Sequence, residues 1–142
     1  MTPLPRYIHA SAALIGEAAV LVRGASGIGK STLVRQLIVA GRAEGRFCRL
    51  VGDDRIGVAA RGGRLVATPH PGVAGRIESA GQGIFAAPHV DAAVVRLVVD
   101  LADSVERMPP QGRRATIEGV SLPLIVADPR SPATIERILA EL

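Results

Sequence analysis

Gly24-Ala25-Ser26-Gly27-Ile28-Gly29-Lys30-Ser31 is the segment of this 142-residue chain whose residue types and spacing point most directly to chemistry. It is a complete G-x-x-x-x-G-K-[ST] pattern, entered from an apolar run and left by a helical one, which is the context such a loop needs to hold phosphate. Glycines let successive backbone N–H groups turn inward onto phosphate oxygens. The N-terminus of the following helix adds about half a positive charge at the same place. In loops of this kind the lysine reaches the β- and γ-phosphates and the adjoining hydroxyl ligates Mg²⁺. Lys30 is also the sole lysine among 17 basic residues, in a chain that otherwise writes every cation as arginine. The loop implies a nucleoside triphosphate or another polyphosphate ligand.

Asp53-Asp54 close an apolar run about twenty residues later. In a parallel α/β arrangement that strand end opens on the same crevice as the loop. Two adjacent carboxylates there can divide the labour, one taking a proton from an attacking hydroxyl and the other helping to hold a metal. Taken alone, Glu78 reads as an exposed loop acid and His9 as a satisfied histidine on an apolar strand. His70 and His89 each neighbour a proline and read as loop residues. No cluster has zinc-ligand spacing.

The elements that must position these groups follow from the apolar pattern. Tyr7–Leu14 and Ala18–Arg23 read as strands joined by a turn at Gly16. After the glycine-rich loop, Leu33, Val34, Leu37 and Ile38 form a helical stripe, with Gly41 as a stop signal. Phe47–Gly52 reads as a strand, and Ile56–Ala60 with Leu65–Thr68 as a hairpin on Gly62-Gly63. Thr68–Gly83 reads as loop, Ala93–Asp100 as a strand, and Thr116–Gly119 and Leu122–Ala127 as two further strands. Ser131-Pro132 reads as an N-cap and first helical position, opening a helix that carries Ile135, Ile138 and Leu139. Strands outnumber helices, so the expected architecture is an α/β domain with a mixed β-sheet flanked by helices.

The length fits one domain, residues 1–142. An apolar fraction of 48% with 21% charged residues excludes wholesale disorder. No apolar run approaches the roughly 18–20 residues of a membrane span, and Cys48, alone, can form no intramolecular disulfide; a cytoplasmic protein is expected. The net charge of +4 comes from scattered arginines without an aromatic stacking platform, which speaks against nucleic acid as a partner.

Taken together, these residues resemble the catalytic domain of HPr kinase/phosphorylase, the bifunctional serine kinase of bacterial phosphotransferase systems. The matching pieces are His9, fifteen residues ahead of Gly24; the loop GASGIGKS; the pair in LVGDDRIGV; and Glu78, twenty-four residues after Asp54, in a segment ending Gly-x-Gly-Ile. The chain is similar to the short, alphaproteobacterial type that lacks the family's separate N-terminal domain. The resemblance implies a phosphate-loop (P-loop) fold related to phosphoenolpyruvate carboxykinase, with Mg²⁺ and ATP used to phosphorylate a serine of an HPr-like carrier protein. Asp53 would be the base toward that serine and the acid in the reverse, phosphorylase reaction. His9 would contact Asp53, Asp54 would support the site, Ser31 and Glu78 would hold Mg²⁺, and Lys30 would stabilise the transferred phosphoryl group. Family members commonly assemble as hexamers, so a homo-oligomer is expected. One departure stands out: where the family reads Glu-x-Arg-Gly, this chain has Glu78-Ser79-Ala80-Gly81. Two other readings share the loop, a small-molecule kinase and a nucleotide-sensing regulator without transfer activity.

Overall fold

The computed structural model describes residues 4–79, 83–102 and 112–142, leaving aside the side chains of 78, 79, 84 and 85. The elements are β1 (Arg6–Ile8), β2 (Ala10–Ile15), β3 (Ala18–Arg23), α1 (Lys30–Ala43), β4 (Cys48–Gly52), β5 (Ile56–Arg61), β6 (Arg64–Pro69), β7 (Arg76–Ser79), β8 (Gly83–Ala86), β9 (Ala93–Leu101), β10 (Arg114–Ile117), β11 (Val120–Ala127) and α2 (Ala133–Ala140). Among the described residues, nine strands form one mixed sheet, with β7 and β8 as a separate hairpin.

The main path runs β1-β5-β6-β9-β3-β2-β4. Because β1 and β2 are successive parts of one extended segment, the path starts and nearly finishes on the same piece of chain, and the sheet curls. The strand expected over Tyr7–Leu14 is thus two strands broken by a bend at His9, since its first part pairs with β5 and its second with β3 and β4. The long strand β9 has β3 along one side. On the other it meets β6 antiparallel in its first half and β11 parallel in its second.

Alternation along each strand splits the apolar residues between the two faces. Ala13, Ile15, Val20, Val22, Leu97 and Val99 pack against Leu33, Val34 and Leu37 of α1 and Ile138 and Leu139 of α2. Ala12, Leu21, Val51, Val58, Leu65, Val95 and Val98 fill the concave face. With so few aromatic residues, the core is made of aliphatic side chains. No helix among the described residues is long and apolar enough to cross a membrane.

Several boundaries differ from the sequence reading, each for a local reason. Helix α1 continues through Gly41 to Ala43, and the positive-φ glycine that follows the helix is Gly45 (φ 80°). Gly41 is there for space: a Cβ on it would lie 2.6 Å from the Cys48 sulfur and 3.4 Å from Ile15 Cγ2. Gly41→Ala should therefore lose about 1–3 kcal/mol to overpacking, more than the roughly 1 kcal/mol alanine brings to a helix interior. Urea denaturation should show this, and adding Cys48→Ala should restore most of the loss. A double variant no more stable than Gly41→Ala would place the strain elsewhere. Burial also raises the Cys48 thiol pKa against the pull of Arg42, Arg46 and Arg49.

Thr68–Gly83 is not all loop, because Arg76–Ser79 pairs with Gly83–Ala86. Glu118-Gly119 is a turn with both φ angles positive rather than the end of a strand; it joins β10 to β11. Gly62-Gly63 forms the expected turn, with φ 56° and 77°, as a two-residue hairpin loop requires. Helix α2 begins one residue later than expected. The residue before it is Pro132, and no side chain caps its N-terminus.

Candidate active site

The sheet topology explains why distant residues meet. Strands β3, β9 and β11 are mutually parallel, and β4 runs the same way because β2 is antiparallel to both β3 and β4. The C-terminal ends of these four strands and the start of β2 therefore share one end of the sheet. That end carries the phosphate loop, Asp53-Asp54, His9 and Ser11.

The root of the loop is pinned from two sides. Arg23, the last residue of β3, makes a bidentate pair with Asp100 of β9 at 2.7 and 2.9 Å. At the next position a Cβ on Gly24 would lie 2.8 Å from Ile28 Cγ2 and 3.3 Å from Leu101 Cβ, so any side chain there would have to displace Ile28. Gly27 and Gly29 take φ values of 79° and 116°, in the region L side chains avoid. The first turn of α1 contains no acid, which leaves its positive end available to an anion.

Lys30 is buried, and its Nζ donates to the carbonyls of Gly24 at 2.9 Å and Ala25 at 3.1 Å. Ser26, Gly27, Gly29, Lys30, Ser31, Thr32 and Asp54 line a cleft of about 350 Å³. Asp53, 6% exposed, sits beside that cleft with Oδ1 accepting the Ser31 hydroxyl at 2.5 Å and the Ser11 hydroxyl at 2.8 Å. Asp54 adopts φ 64°, donates its N–H to Ser11 Oγ at 3.0 Å, and carries its exposed carboxylate into the cleft. Where the resemblance implies a contact from His9 to Asp53, the structure puts His9 Nδ1 3.4 Å from Asp54 Oδ1.

The backbone of Glu78 lies on β7, paired with Ile84; its side chain, like Ala80 and Gly81, falls outside the described residues. Sequence reasoning missed Ser11. The available signal was a hydroxyl in an otherwise apolar strand, two residues after His9, since a buried hydroxyl must find partners.

Beside the loop, the segment from β11 to α2 approaches closely, Pro129 lying 3.5 Å from where a Gly29 Cβ would be. Its turn is held by Asp128, which accepts from the Arg130 N–H and guanidinium; those hydrogen bonds hold the Asp128 carboxyl below the usual carboxylate range. A depressed carboxylate stabilises the fold above its unfolded-state pKa, and this contribution fades as pH falls through the lower folded value.

The oxygen-rich setting suits magnesium, which takes hard ligands and keeps several waters rather than filling an all-protein cage. Ser31 Oγ and the exposed Asp54 carboxylate line the cleft and supply oxygen donors there. Among the described residues no group of three or more His, Cys, Asp or Glu side chains forms a cage.

No protein-family model matches the sequence, and no curated protein matches it. Its fold is similar to the solved structure of the Hpr(Ser) kinase/phosphatase from Coxiella burnetii, with a TM-score of 0.75 and 27% sequence identity over 96% of this chain and 95% of that one. The curled mixed sheet, phosphate loop and two helices match that catalytic-domain architecture. The chain has an HPr kinase-like fold of the phosphoenolpyruvate carboxykinase-related P-loop kind.

Proposed function

We propose that this chain is a Mg²⁺-dependent kinase that transfers the γ-phosphoryl group of ATP to a serine hydroxyl of an HPr-like phosphocarrier protein. The observation that carries the reading is the 2.5 Å hydrogen bond between the Asp53 carboxylate and the Ser31 hydroxyl of the phosphate loop. It holds a proton acceptor against the phosphate site instead of leaving it on a solvated turn. The fold shared with an Hpr(Ser) kinase/phosphatase supports the acceptor class.

The loop N–H groups and the α1 N-terminus would cradle the phosphates. Lys30 would exchange its two loop carbonyls for phosphate oxygens and stabilise charge on the group in flight. The acceptor serine oxygen would attack the γ-phosphorus as the bond to the ADP oxygen breaks, and Asp53 would take the serine proton. In the phosphorylase direction Asp53 would return that proton. Asp54, paired with His9, would support the site at the mouth of the cleft. Ser31, and Glu78 by the family pattern, would hold Mg²⁺, which neutralises phosphate charge when bound.

Incubating the protein with its host's HPr-like carrier and Mg-ATP labelled at the γ position should place label on a carrier serine. No label, with nucleotide still raising the melting temperature, would overturn the reading in favour of a sensor or a small-molecule kinase. At a nucleotide concentration of about 100 Kd, that stabilisation should be roughly 2.7 kcal/mol.

A further inference from the structure

Ser11 is fully buried in β2 and does not line the cleft. The strand around it reads Ala-Ser-Ala-Ala-Leu-Ile, so alanine would satisfy the local pattern equally well. What serine adds is one hydroxyl, and burying it is costly unless it is bonded. A hydroxyl has one proton to donate and lone pairs to accept with. The fixed Asp54 N–H takes up an accepting position at 3.0 Å, and the Ser11 proton goes to Asp53 Oδ1 at 2.8 Å. One oxygen therefore ties both members of the aspartate pair to β2. It also anchors the turn at Asp54, whose φ of 64° is unusual for a residue with a side chain. Ser31, the other hydroxyl on Asp53, belongs to the phosphate loop and has phosphate-site duties. Ser11 has no such second task.

We infer that Ser11 is a positioning residue for phosphoryl transfer, acting through Asp53 by fixing its carboxylate against the phosphate loop. The inference rests on Asp53 being the base in the reaction proposed above. A misplaced reacting group commonly costs up to about 10²-fold in rate. Ser11→Ala should therefore lower kcat about 10–10²-fold while leaving the KM for ATP unchanged. Ser11→Cys fills the same space with a poor donor and should show a similar loss in a folded chain.

The discriminating experiment is a double-mutant cycle of Ser11→Ala with Asp53→Asn. Transfer to carrier and slow transfer to water would both be followed, with melting temperatures recorded for each variant. If Ser11 acts through Asp53, its substitution should change almost nothing once Asp53 is asparagine. Wild-type kcat in Ser11→Ala, or a loss fully additive with that of Asp53→Asn, would overturn the inference while leaving the kinase reading intact. A carrier that stays unlabelled, with ATP hydrolysis to water still obeying the non-additive pattern, would overturn the carrier as acceptor and keep Ser11. Absence of any turnover would overturn both.

Discussion

Lys30→Ala is expected to lower phosphoryl transfer by about 10²–10³-fold, the usual cost of removing one preorganised charge from a transition state. The same substitution should abolish most of the nucleotide-dependent rise in melting temperature. The ammonium is buried at the foot of the loop and bonds the carbonyls of Gly24 and Ala25, so it supports loop shape as well as charge. Single-turnover transfer and thermal shift with ADP and ATP measure the two effects separately. Retained turnover in Lys30→Ala would remove the loop from the chemistry.

A different signature is expected for Asp53→Asn. Asparagine can offer its carbonyl oxygen to the same two hydroxyls, Ser11 and Ser31, so the local geometry should survive. What it cannot do is take a proton at working pH. Transfer should fall by about 10²–10⁴-fold, the range for general acid–base catalysis, while nucleotide binding persists. Asp54→Asn should cost about tenfold or less, because that carboxylate is exposed at the cleft mouth and supports the site through His9. If Asp54→Asn proved the more damaging change, the labour of the pair would have to be reassigned, with the cleft-facing carboxylate as the base.

Much of this site was legible because its signals are local. The phosphate loop follows a strand and opens a helix within one short stretch, and glycine, lysine and serine each have a physical duty there. The Gly62-Gly63 hairpin was equally readable from its turn. What resisted reading depended on distant partners. The break at His9 comes from β1 pairing with β5 while β2 pairs with β3 and β4, which no local pattern encodes. Gly41 looks like a helix stop, yet its reason is the Cys48 sulfur packed across from it. Arg76–Ser79 is a short strand set among glycines and prolines, so turn signals masked it. Ser11 shows its purpose only when β2 and the end of β4 come together.

The order in which the chain is made gives the position of β9 one more consequence. Strand β3 can pair with β2 as soon as both are synthesised, but its other neighbour is β9. Arg23, at the foot of the phosphate loop, finds its Asp100 partner 77 residues later. A nascent chain on the ribosome thus displays the phosphate-loop sequence long before it has the strand that sets the loop's shape. Loop closure over such separations makes folding slow compared with local hairpins. Until Asp100 and Leu101 have been made, the β3–β9 register and the Arg23–Asp100 pair that hold the root of the loop cannot form.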